Sequence, residues 1–235
     1  MASAPVSRNN LLASLSLEDF EYIRPNLRSF DLVCEAVLVE AGGPITRVYF
    51  PQSGIISLVV RLATGDAVEV AMVGRDGAFG AAPALDGPIS PNTAVVQMAG
   101  KASTLDAPLL QIAAEHSASF RAALIRYEQV IHAQALQSAA CNASHDVQSR
   151  LSRWLLRARD LSGRDTLAFS QEFLAQMLGR HRNSVSLVAN SLQQAGLIRY
   201  SRGQIEITDL EGLVKRSCEC YGTLKTRSDE LLRRV

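Results

Sequence analysis

Between Phe173 and Ile205 the chain carries Arg180, Arg182, Arg199 and Arg202 and not one acidic residue. Asn183, Ser184, Ser186 and Asn190 lie in the same stretch. These side chains share one chemistry, hydrogen bonding to anions and to the edges of nucleobases. A guanidinium can donate bidentately to guanine O6 and N7, and an Asn amide can pair with adenine N6 and N7. A cationic surface free of carboxylates is what phosphates require.

Two helices and a hairpin must position these groups. Ser170 is placed to cap a helix beginning at Gln171, where Glu172 suits the positive end of the helix dipole. Gly179 stops that helix, and a second runs from about Arg182 to Ala195 before Gly196. Val185, Val188 or Ala189, and Leu192 share its inner face, leaving Arg182, Asn183, Ser186 and Asn190 largely outside. The β-prone runs Leu197–Tyr200 and Gln204–Ile207 flank Ser201-Arg202-Gly203 and predict a hairpin, or wing. Two helices around a tight Gly-containing turn form a helix-turn-helix.

The segment Phe169–Thr208 resembles the winged helix-turn-helix of the Crp/Fnr transcription regulators. Leu174-Ala175-x-x-Leu178-Gly179, Arg182-x-Ser184-Val185-Ser186 and Leu192-x-x-x-Gly196-Leu197-Ile198 carry the resemblance. It implies that the helix starting near Arg182 enters the major groove of double-stranded DNA. The family's usual Arg-Glu-x-x-x-Arg is here Arg182-Asn183-x-x-x-Leu187, so its usual half-site sequence is not carried over. Arg182, Asn183 and Ser186 are assigned to base edges. Ser170, Arg180, His181, Ser184, Arg199, Tyr200 and Arg202 are assigned to phosphates, which orient without reading sequence. The partners expected are duplex DNA and a second copy of the chain, with RNA polymerase a further candidate.

A chain of 235 residues has room for two cores. Its net charge of +1 hides an asymmetry: residues 1–149 hold nine basic and fourteen acidic side chains, residues 150–235 fifteen and nine. An acidic half joined to a basic half suits a sensor joined to a nucleic-acid binder. No run approaches the ~20 apolar residues needed to cross a bilayer. Met1–Ser16 lacks the pattern of a signal peptide, and the expected location is the cytoplasm, with no membrane partner. The scattered cysteines Cys34, Cys141, Cys218 and Cys220 read as thiols in a reducing compartment.

Leu11–Leu27 predicts a short helix or helix pair capped at Ser16. From Phe30 to Leu105, short apolar or alternating runs (Val37–Val39, Val48–Phe50, Ile55–Val60, Val68–Val73, Thr93–Met98) are separated by glycine-bearing turns, with Thr64-Gly65-Asp66 a hairpin tip. This pattern argues for an antiparallel β-roll or sandwich. Asp106-Ala107-Pro108 opens a helical region, and a long helix follows from Ser119. Phe120, Leu124, Tyr127, Ile131, Gln134 and Ser138 fall at four- and three-residue steps, predicting a dimer seam or a helix lying on its own roll; the need for two half-sites favours the dimer. Asp146 caps the next helix at a hinge. A last helix is predicted from Leu210 to about Leu232. The expected fold class is α+β: an antiparallel β-roll of the double-stranded β-helix type (1–118), a dimerisation helix and hinge (119–145), and a winged helix-turn-helix with a helical extension (146–235). This order also resembles the whole Crp/Fnr architecture.

In cyclic-nucleotide-binding members of that family, a loop after a Gly-Glu pair ends in Arg-Ser or Arg-Thr. The corresponding loop here runs from Gly77 through Gly80, Ala81, Pro88, Asn92 and Thr93 to Ala94, with Ala81 in place of the Glu and Asn92 in place of the Arg. Burying a phosphate without a cation is costly, so no cyclic nucleotide is expected, and the effector loop is Gly80, Ala81, Asn92 and Thr93. An iron–sulfur cluster needs four gathered thiolates, and only one cysteine lies in the first hundred residues. Haem ligation through His116, His132 or His145 is not expected either. Cys218-x-Cys220 reads as one packed and one surface thiol on a helix, because residues two apart point to different sides; no metal is expected. The chain has no phosphate-binding Gly loop, paired-His metal motif or nucleophile elbow, so no catalytic residues are assigned. The alternative function is a small-molecule or redox sensor whose output is protein–protein contact.

Overall fold

The structure is a computed structural model that describes residues 7–87 and 89–233; Met1–Val6, Pro88 and the last two residues lie outside the described residues. The chain forms two compact units, one made of Met1–Leu58, Met72–His132 and Ser228–Val235, the other of Val59–Ala71 and Ala133–Arg227.

The first unit opens on α1 (Asn10–Ala13) and α2 (Leu17–Ile23). Asn9 caps α1 by accepting from Leu12 N–H, while its Nδ2 donates to the carbonyls of Pro51 and Gly77, each at 2.8 Å. Ser16 caps α2 as expected. The strands are β1 (Arg28–Leu32), β2 (Val37–Val39), β3 (Arg47–Pro51), β4 (Ile55–Arg61), β5 (Ala67–Val73), β6 (Thr93–Met98) and β7 (Gly100–Asp106), with α3 (Ala81–Leu85) between β5 and β6. They form two sheets, ordered β1-β7-β3 and β2-β6-β4-β5. Strand β7 is central and antiparallel to both neighbours, with Thr104 opposite Arg28 on one side and Tyr49 on the other. Thr64-Gly65-Asp66 turns β4 into β5, with Leu62 N–H donating to Asp66 O at 2.8 Å.

Helix α4 (Ala107–His116) leads into α5 (Ala118–Ser144). The expected dimer seam is corrected here. Phe120, Leu124, Tyr127, Ile131, Gln134 and Ser138 are all buried within one chain. They form the face of α5 that packs intramolecularly. Tyr127 shows the closeness of that packing: a Cβ added at Gly77 would sit 1.7 Å from its ring. Gly77→Ala is therefore expected to destabilise the first unit by about 1–3 kcal/mol, as overpacking of a tight core does. A lowered urea midpoint with unchanged slope would register it.

In the second unit, Asp146 caps α6 (Val147–Ser162) by accepting from Ser149 N–H at 3.0 Å. Trp154 on α6 meets Phe169 edge-on at 4.8 Å, and Phe169 stacks on Phe173 at 5.7 Å. The Trp154 and Phe169 rings fill the core with Leu151, Leu155 and Leu174, and Phe173 is half-buried beside them. The indole N–H of Trp154 donates to Glu69 of β5 at 2.8 Å. The remaining elements are β8 (Thr166–Ala168), α7 (Gln171–Leu178), α8 (Arg182–Gln194), β9 (Ile198–Ser201), β10 (Gln204–Ile207), α9 (Leu210–Arg216) and α10 (Cys220–Arg233), with β8, β10 and β9 forming an antiparallel sheet in that order. The single last helix expected from Leu210 is in fact two, broken at Ser217–Glu219. Among the described residues no helix is long and apolar enough to cross a membrane.

Candidate nucleic-acid interface

Ser170 caps α7 by accepting from Phe173 N–H at 3.1 Å. Gly179 ends it in the left-handed region at φ 58°, with Arg180 N–H returning to Ala175 O at 2.9 Å. A residue with a Cβ would be strained there, so the glycine fixes the turn between the helices. From within the unit, buried Arg150 donates through Nη2 to Leu178 O, so the last turn of α7 is held from the core side.

Helix α8 buries Val185, Ala189 and Leu192, which settles the inner face on Ala189 rather than Val188. Arg182, Asn183 and Asn190 are exposed and Ser186 is half-buried. Positions 182, 183, 186, 187 and 190 make one contiguous face at helical spacing. Ser186 Oγ donates to Gln171 Oε1 at 2.6 Å, so its hydroxyl offers lone pairs outward rather than its proton. Arg182 lies 3.8 Å from Glu172 and Arg199 lies 3.0 Å from Glu206. The acid-free run is thus bordered by two carboxylates that partner its own arginines. Both pairs are solvent-exposed and hold the side chains only weakly.

The wing is a two-residue hairpin in which Ile205 faces Tyr200 and Gln204 faces Ser201. Arg202 and Gly203 both have positive φ, 51° and 75°. Such turns favour Asn or Gly at the first position because a side chain there is strained. Keeping an exposed arginine at that point puts a cation at the wing tip. Tyr200 N–H donates to Gln193 Oε1 at 2.7 Å, which braces the wing against α8. Arg180, His181, Arg199 and Arg202 are exposed, and Ser184 and Tyr200 are half-buried. One outward residue escaped assignment from sequence: Leu187, 71% exposed on the outer face of α8. Its signal is the same spacing that selects Asn183 and Ser186.

Ala81 is buried at the start of α3, next to Gly80 at φ 87°. Buried Thr93 has its hydroxyl engaged, donating to Glu40 at 2.9 Å and accepting from Ala41 N–H at 3.1 Å. Asn92 is half-buried. A separate cavity of about 600 Å³ lies in the same unit, lined by residues that include Leu85, Gln111, Arg121, Ile125, Glu128 and His132.

A capped helix, a glycine turn, a second helix with a polar outer face and an arginine-tipped wing define a winged helix-turn-helix DNA-binding protein. Residues 149–216 match the Crp-like helix-turn-helix domain. The fold of the longer chain is similar to that of FixK2 from Bradyrhizobium japonicum, at 17% identity and a TM-score of 0.70, over 82% of this chain and 98% of that one. It is also similar to the c-di-GMP responsive global regulator CLP of Xanthomonas campestris (15% identity, TM-score 0.66, 82% and 99% covered). A transcriptional regulator of the CRP/FNR family from Thermus thermophilus aligns at 23% identity with a TM-score of 0.62, over 81% and 98%. No curated protein matches the sequence. Residues 149–216 thus form a Crp-like helix-turn-helix domain, a DNA-binding module, and the chain shares its fold with solved transcription regulators.

Proposed function

We propose that the chain acts in the cytoplasm as a homodimer that reads a palindromic duplex with α8. The contiguous outer face of that helix is the observation that carries the reading. Arg182 and Asn183 supply donors for guanine and adenine edges, Ser186 supplies an acceptor, and Leu187 offers an apolar surface suited to a thymine methyl. Ser170, Arg180, His181, Ser184, Arg199, Tyr200 and Arg202 hold the phosphates on either side.

The dimer seam lies on the face of α5 opposite the intramolecular one. Ala122, Ile125, Gln129, His132, Leu136, Ala139 and Ala143 follow steps of three and four. Ile125 and Leu136 remain 45% and 57% exposed in the single chain. Apolar side chains left this exposed at heptad spacing favour a second copy.

The account of the wing is tested by Arg202→Asn, which keeps a residue tolerant of positive φ and removes the cation. Affinity for every duplex should fall about equally, and the slope of log K against log salt should shrink by about 0.9, the value of one phosphate contact. Fluorescence anisotropy across a salt series measures both. A loss confined to the preferred sequence would instead make Arg202 a base reader.

No cyclic nucleotide is needed for this activity. The support is the buried Ala81 and the engaged Thr93 hydroxyl where an acid and a phosphate cradle would be required. The 600 Å³ cavity favours a different effector. Its lining shares Ile125, Gln129 and His132 with the seam, so a ligand there would bear directly on the dimer.

A further inference from the structure

Cys141 lies in the last turn of α5 and His145 directly follows its end, Cys218 lies in the break after α9, and Cys220 opens α10. The expectation of one packed and one surface thiol is corrected: the helix breaks between them, and Cys141, Cys218 and Cys220 are buried together. The ligating atoms of these three cysteines and of His145 all lie within 4.8 Å of one another. Cys141 Sγ is 3.6 Å from Cys218 Sγ, and Cys220 Sγ is 3.6 Å from His145 Nδ1. A tetrahedral zinc with Zn–S of about 2.3 Å and Zn–N of about 2.0–2.1 Å has ligand–ligand edges of roughly 3.5–3.8 Å.

We propose that Cys141, His145, Cys218 and Cys220 form a tetrahedral site for one zinc ion, which staples the end of α5 to the junction of α9 and α10. Three thiolates and an imidazole are soft and borderline donors that select zinc over oxygen-seeking cations. An iron–sulfur cluster, which interposes iron and sulfide between its thiolates, needs a wider nest than this. The surroundings support the ion. His145 turns its other nitrogen, Nε2, to the Glu219 carboxylate at 3.1 Å, the arrangement that fixes a ligating histidine in its ring orientation and tautomer. Gln137 Nε2 donates to Cys220 Sγ at 3.0 Å. Three thiolates around a divalent ion leave one negative charge, and the nearby buried Arg150 and Arg153 are cations whose Nε groups have no acceptor among the described residues.

The test is metal analysis of the full-length protein, reconstituted with zinc under reducing conditions and freed of excess. The expected result is about one zinc per chain. Cobalt substituted for zinc should show the intense visible bands of a tetrahedral ion with thiolate charge transfer. Glu219→Gln should weaken zinc affinity about 10- to 100-fold, and Cys218→Ser should remove binding. If Cys218→Ser does not fold, the wild-type stoichiometry and cobalt spectrum decide alone. A wild-type protein that retains no zinc, an octahedral cobalt spectrum, or iron bound with sulfide would overturn the site.

Discussion

Arg182→Ala should lower affinity for the preferred duplex by roughly five- to 150-fold, the equivalent of about 1–3 kcal/mol for one bidentate contact to guanine. Binding to random duplex should change much less. The asymmetry follows from position. Arg182 is the first residue of α8 and exposed, and only the weak 3.8 Å approach to Glu172 must be given up when it turns to a base. Truncation removes no buried contact, so the fold should survive and circular dichroism should be unchanged. Competition of specific against random duplex at fixed salt measures the effect. Equal loss on both duplexes would move Arg182 from the bases to the backbone.

Leu136→Glu should have the second large effect, by separating the two copies. Leu136 is on the open face of α5 and 57% exposed in one chain, so a carboxylate there costs little in the monomer. In the symmetric seam, each copy would bring a charge into an apolar contact, where its loss of water goes uncompensated. Sedimentation should shift from dimer to monomer. Affinity for a palindrome should fall by about 10²–10⁴-fold, because the second half-site is no longer reached at high effective concentration. A variant that stays dimeric with full affinity would exclude this face.

The winged segment was legible in sequence because local rules determine it. A hydroxyl cap at Ser170, a left-handed glycine at Gly179 and a three-to-four-residue apolar rhythm on α8 each act within one or two turns of chain. The role of α5 was less legible for a physical reason. A helix buried on one side and suited to a partner on the other carries two heptad seams. Its bulkier set, Phe120, Leu124, Tyr127 and Ile131, belongs to the chain's own core. Strand β7, Gly100–Asp106, was not foreseen because its residues are small and polar; it is held by ladders to β1 and β3 on both sides. The cysteine cluster was hidden for another reason. Cys141 and Cys218 are 77 residues apart in the chain, and only the break at Ser217–Glu219 turns Cys218 and Cys220 to the same side.

Selection of bound fragments from random double-stranded DNA tests the central claim most directly. The account predicts an enriched palindrome with half-sites about 10–10.5 base pairs apart, or a multiple of that, centre to centre, as two symmetric helices in successive major grooves require. Recovery of no enriched sequence at moderate salt, or of a single unpaired half-site, would contradict it.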